Sequence, residues 1–191
     1  MEYLSTRGAG PVTLDEALRA GIAADGGLFL PCELPSFELA DFSSADTLPA
    51  VANVLLAPFF EGSDLQADLG EILAETYSFP IPAVRLPVAD ADVSLLELYH
   101  GPTAAFKDVG ARFLAACLTR LEGDTAAPLT ILVATSGDTG GAVAAAFDSR
   151  PGMRVVVLFP DGRVSARQAH QLSCWSDNVL SLKVQGSFDD C

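Results

Sequence analysis

From Val93 onward the chain alternates continuous apolar runs with amphipathic ones, and this rhythm constrains the fold more than any other feature. VSLLELY, LTILVAT, RVVVLFP and NVLSLKV read as strands, while KDVGARFLAACLTRL, TGGAVAAAFDS and SARQAHQLSCW read as helices. Strands that are apolar at nearly every position belong to a parallel sheet covered on both faces, and strand–helix alternation is how such a sheet is connected. The spacing therefore predicts an open, mostly parallel α/β sheet of four strands with flanking helices. Its strand order is open.

The preceding stretch has a different character. Residues 1–94 carry 3 basic and 15 acidic side chains, whereas residues 95–191 carry 8 and 10. Thr13 and Glu16 have capping-box spacing ahead of Leu14, Ala17 and Leu18, and Gly21 is the expected stop. Leu65, Leu69, Ile72 and Leu73 fall at helical spacing behind Ser63, and Phe79-Pro80-Ile81-Pro82 reads as an extended connector. Residues 1–94 are thus expected to form a mainly helical region, and residues 95–191 the α/β region. Ser187 and Asp190 again have capping-box form, so the 191 residues are expected to be the front portion of a longer protein.

Charge and composition exclude several classes of function. A net charge of −14 argues against nucleic acid and anionic membrane surfaces as partners. The longest apolar stretch, Val51 to Phe60, is too short to span a bilayer, and the N-terminus lacks a secretory pattern. Cys32, Cys117, Cys174 and Cys191 form no metal or disulfide framework and read as reduced thiols of a cytoplasmic protein.

Two stretches carry chemistry. The chain has only two lysines, Lys107 and Lys183, all other cations being arginine. Lys107 follows Phe106 in a Gly/Pro-punctuated loop and reads either as a nucleophilic amine or as a first-turn residue paired with a carboxylate such as Asp108. Asp108 and Arg112, at i, i+4 spacing, form a surface ion pair or a polar cluster behind the amine. ATSGDTGG, residues 134–141, follows a strand and opens a helix. Its glycines allow close backbone approach, and its N–H groups with the hydroxyls of Thr135, Ser136 and Thr139 suit a carboxylate or phosphate. It is neither a P-loop nor a dinucleotide fingerprint. Both stretches fall at strand ends, where α/β sheets bind ligands. Arg163, Ser165, Arg167 and Gln168 lie at the same sheet edge, as an ordinary helix start or a phosphate site. His100 reads as a loop histidine held by backbone hydrogen bonds, and Lys183 as solvated.

ELYHGPTAAFKDVGARFLA with LTILVATSGDTGGAVAAAF, together with the N-terminal STRG and EALRAGIAADGGLFLP, LFPDGRVSARQ and VQGSFDDC, resembles the threonine synthases of the fold type II pyridoxal-phosphate enzymes. The resemblance implies Lys107 as the Schiff-base lysine and proton shuttle. It implies Ser136, Gly137, Asp138 and Thr139 beside the cofactor, and Thr135, Ser136, Thr139, Ser165 and Gln168 toward substrate. The implied cofactor is pyridoxal 5'-phosphate, and the implied reaction turns O-phospho-L-homoserine and water into L-threonine and phosphate. The family's cup for the cofactor phosphate lies later in its chains, so an inactive or non-catalytic anion-binding module is the alternative. No metal is implied.

Overall fold

The computed structural model describes residues 1–123 and 127–191. The chain folds as two compact units, one of Met1–Ser78 with Ala116–Leu121, the other of Phe79–Ala115 with Glu122–Cys191.

In the first unit, β1 (Tyr3–Ser5) pairs antiparallel with β2 (Phe29–Pro31), with α1 (Leu14–Ala20) between them in the chain. Thr13 and Glu16 cap α1 reciprocally, and Gly21, at φ +66°, closes it with its N–H on Ala17 O. After a 3-10 turn at Leu39–Phe42 come α2 (Leu48–Phe60) and α3 (Leu69–Thr76). Leu65, Leu69, Ile72 and Leu73 are all buried. The helix carrying Leu69, Ile72 and Leu73 starts at Leu69, later than the apolar spacing suggested, and leaves Leu65 in the preceding turns. The cause is Asp15 of α1, whose carboxylate accepts from Ser63 Oγ at 2.5 Å and from the Asp64 N–H at 3.0 Å. Ser63 and Asp64 are thereby engaged in turns rather than in a helix start.

The second unit opens with β3 (Ala83–Arg85) and β4 (Ser94–Leu96), an antiparallel two-stranded ribbon of exposed residues. The run VSLLELY, expected to join the parallel sheet, instead pairs with this neighbour. Leu86 N–H to Val93 O and Glu97 N–H to Pro82 O extend the ladder, and Arg85 and Asp92 form an ion pair at 3.2 Å. A partner about ten residues away closes a much smaller loop than a strand of the distant sheet. Next is α4 (Lys107–Glu122), of which Ala116–Leu121 belong to the first unit. The parallel sheet then has three strands, β5 (Leu129–Ala134), β6 (Met153–Pro160) and β7 (Val179–Val184), in the order β5-β6-β7. The helices α5 (Asp138–Phe147) and α6 (Ala166–Ser173) connect them.

Among the described residues, the expected covering of both sheet faces is not found. Strands laid down successively in one direction, joined by right-handed crossovers, place both connecting helices on the same face. Val155, Val157 and Phe159 are buried with Phe147 of α5 and Leu172 of α6. On the other face the register sets Leu132, Val156 and Leu180 in one row and Ala134, Leu158 and Leu182 in the next. Leu132 is 68% exposed, Leu180 55% and Leu182 42%.

Candidate active site

Three chain segments of the second unit meet at the carboxyl ends of β5 and β6. The loop leading into α4 is a compact series of turns: Ala104 N–H donates to Gly101 O at 3.1 Å, Asp108 N–H to Ala105 O at 3.0 Å, and Val109 N–H to Phe106 O at 3.2 Å. Lys107 is the first residue of α4, and its Nζ lies 3.4 Å from the centroid of the exposed Phe106 ring. Asp108 is buried, its two oxygens accepting from the N–H and the hydroxyl of Thr103. Arg112 stands over the Phe79 ring at 5.9 Å.

Facing Lys107 is the turn from β5 into α5. Thr135 Oγ1 accepts from the Gly137 N–H at 3.0 Å and the Gly140 N–H at 2.9 Å, and donates to Gly137 O at 3.2 Å. Thr135 is 2% exposed, and its hydroxyl braces the turn from inside. Among the described residues, no protein acceptor takes the N–H groups of Ser136, Asp138 or Thr139. These are the orphan donors of a helix start, favourably placed for an anion by the helix dipole. Gly137 has φ +153° and carries no capping side chain. That backbone conformation favours glycine, and a Cβ there would in addition stand 2.3 Å from Gln168 Nε2 and displace that amide.

The third segment is the start of α6. Ser165 and Gln168 form a reciprocal capping box, and Gln168 Nε2 also donates to Asp138 Oδ1 at 3.1 Å. Ser165 is therefore engaged as a cap. Gln168 ties the two helix starts together.

Lys107, Ser136, Asp138, Thr139 and Gln168 line one recess of about 400 Å³, whose remaining wall is Ala104, Ala105 and Phe106. Gly137 lies beneath the Gln168 amide. On the other side of Lys107 is an apolar groove walled by Val109, Leu114 and Val143. Lys183 is exposed, 3.9 Å from Asp161, and does not line the recess.

His100 is held by a side chain and not by backbone groups. Its Nε2 lies 2.6 Å from Glu97 Oε2, and its ring packs on Tyr99 with centroids 4.7 Å apart. Hydrogen bonds from His100 and then Tyr99 hold the Glu97 carboxyl below its ordinary value, and Glu97 in turn raises the Tyr99 phenol. No sequence pattern pointed to this cluster, although the i, i+3 spacing of Glu97 and His100 was its available signal.

Residues 2–77 match the family model described as threonine synthase N terminus, and residues 76–191 match that of pyridoxal-phosphate dependent enzymes. The chain is 40% identical over 184 residues to a threonine synthase of Escherichia coli, an alignment covering 94% of this chain and 41% of the relative. It is 38% identical over 197 residues to a threonine synthase of Pseudomonas aeruginosa, covering 100% and 42%. The crystal structure of a pyridoxal-phosphate-bound threonine synthase from Brucella melitensis superposes with a TM-score of 0.86 at 41% identity, over 100% of this chain and 42% of that one. The Escherichia coli threonine synthase structure gives 0.84 at 37% identity, over 99% and 44%. The chain thus spans about two fifths of the length of the relatives it matches.

Proposed function

This chain belongs to the pyridoxal-phosphate dependent enzymes, and from that premise we propose that its recess takes part in converting O-phospho-L-homoserine and water to L-threonine and phosphate, with pyridoxal 5'-phosphate as cofactor. The observation that carries the reading is the meeting of one primary amine, Lys107, with a helix start at which the Ser136, Asp138 and Thr139 N–H groups have, among the described residues, no protein acceptor, in a single recess. The donor set fits the cofactor: an amine to condense with an aldehyde, hydroxyls and N–H groups for anionic or polar substituents, and Phe106 and two alanines beside a planar ring. When bound, the cofactor supplies the aldehyde and the electron sink that stabilises negative charge at the substrate carbons.

The chain's own groups have separate tasks in this reading. The Nζ of Lys107 holds the cofactor and, once released, moves protons at the substrate α and β carbons. The N–H groups of Ser136, Asp138 and Thr139, with the two hydroxyls, orient the substrate carboxylate at the positive end of α5. Gln168, through Asp138, keeps that helix start in register with α6. Apolar surface at Phe106, Ala104 and Ala105 limits water beside the amine.

The same reading places the protein in the cytoplasm. It is supported by the four cysteines, all free thiols. The decisive experiment mixes the chain with pyridoxal phosphate, reduces with borohydride and maps the adduct by mass spectrometry. A single pyridoxyl group on Lys107 is the expected result. No label, or equal label on Lys107 and Lys183, defeats the reading for this chain.

A further inference from the structure

We propose that Asp108 is a positioning residue for the Lys107 amine: its buried carboxylate, bonded to Thr103, winds the loop from Gly101 to Phe106 into the wall from which that amine projects. The proposal rests on the reading of Lys107 as the reactive amine and adds to it the device that fixes where the amine sits.

Asp108 is 1% exposed, and a carboxylate so far from water persists only if its lone pairs are met by donors. The donors come from five residues back in the chain. Thr103 N–H reaches Oδ2 at 3.0 Å and Thr103 Oγ1 reaches Oδ1 at 2.7 Å, both charge-assisted bonds. The carboxylate next in sequence to the lysine is therefore turned back into the loop.

Two features of the loop fit this arrangement and have no other evident cause. A Cβ at Gly101 would lie 2.5 Å from Asp108 Oδ2 and 2.8 Å from its Cβ, so the backbone at 101 passes directly over the carboxylate. Ala104 adopts φ +56°, a left-handed conformation that is unfavourable for a residue with a side chain and survives where its surroundings over-determine it. Thr103 on one side, and the Ala104 N–H on Gly101 O, supply that determination. Ala104, Ala105 and Phe106, so placed, form the recess wall beside Lys107.

The test measures the amine directly, without cofactor. The 191-residue chain and its Asp108→Asn, Thr103→Val and Thr103→Ser variants are acylated with trace acetic anhydride, and the ratio of Lys107 to Lys183 modification is read by mass spectrometry. Loss of the clamp frees the half-buried amine, so Asp108→Asn and Thr103→Val each raise the ratio about threefold or more. Thr103→Ser, which keeps the hydroxyl, stays at the wild-type ratio. The Thr103→Val, Asp108→Asn double variant raises the ratio by less than the product of the two single effects, since both changes act on the hydroxyl bond to Oδ1, while the backbone N–H at position 103 remains in each. An unchanged or lowered ratio in folded Thr103→Val overturns the proposal, as does an equal rise in Thr103→Ser. If Asp108→Asn loses its circular dichroism, the two Thr103 variants decide alone. A wild-type chain that pyridoxal phosphate leaves unlabelled at Lys107 overturns the proposed function instead, so the two failures are separable.

Discussion

Gly140 lies so close to Thr135 that a Cβ at position 140 would stand 2.4 Å from Thr135 Cγ2, while the N–H of the same glycine donates to Thr135 Oγ1 at 2.9 Å. Leu172 of α6 closes the remaining space at 2.9 Å. At its neighbour Gly141 the nearest atom to such a Cβ is 3.8 Å away, an ordinary contact. Gly140→Ala is therefore expected to destabilise by about 1–3 kcal/mol through overpacking. Gly141→Ala is expected to stabilise α5 by up to about 1 kcal/mol, as alanine does in a helix interior. Urea unfolding of the two variants checks this; equal shifts of the same sign would show that the two glycines are not distinguished.

The open face of the parallel sheet gives a second expectation. Leu132 and Leu180 flank Val156 in one row and are more than half exposed. Such an apolar row draws hydrophobic dyes and promotes association. Leu132→Lys with Leu180→Lys should lower dye fluorescence and raise solubility, while each change moves stability by less than about 0.5 kcal/mol. A large loss of stability would mean that this face is covered in the folded chain.

Asp25 makes stability depend on acid. Its carboxylate accepts from Ser5 Oγ at 2.7 Å, the Gly27 N–H at 2.9 Å and the Ala9 N–H at 2.9 Å, and these bonds, Ser5 first, hold its pKa below the ordinary 3.8. A depressed carboxyl contributes stability that is present above its unfolded value and lost as pH falls through the folded one. Unfolding midpoints are expected to drop as pH falls below about 4, and Asp25→Asn should flatten part of that slope. An unchanged slope would assign the acid sensitivity elsewhere, to Glu16, Glu97 or Asp190.

Cys117 behaves in the opposite sense. Burial, its largest cause, pushes the thiol up to about 12, and Cys117 is 0% exposed whereas Cys32 and Cys174 are at the surface. Alkylation of the native chain should modify Cys32 and Cys174 and spare Cys117 until the protein unfolds. Because the folded value is raised, the linked stability is complete below the ordinary thiol value of 9.0 and is lost as pH climbs toward the folded one. Mass spectrometry of the alkylated peptides reads the first effect, and alkaline unfolding of Cys117→Ala the second.

What the sequence determined by itself is what local physics decides. The apolar runs of β5, β6 and β7, the capping pair Thr13 and Glu16, the stop at Gly21, and the start of α4 at Lys107 each depend on residues a few positions apart. The likeness of HGPTAAFKD, ATSGDTGG and LFPDGRVSARQ to one family pointed to the three segments that line the recess. Tertiary structure decided the rest. Ser63 was legible as a helix start until Asp15, 48 residues away, engaged it. The run at Ser94–Leu96 looked like a fourth parallel strand because nothing in it reveals that Ala83–Arg85 is its partner. Thr135 reads as a ligand-side hydroxyl in a one-dimensional motif, yet the turn folds it inward to hold two glycine N–H groups. Gln168 was implied toward substrate by the resemblance, but its bond to Asp138, which ties the start of α6 to that of α5, is set by the tertiary structure. Each depends on which distant groups compete for the same hydrogen bonds and space, and that competition exists only once the chain has closed on itself.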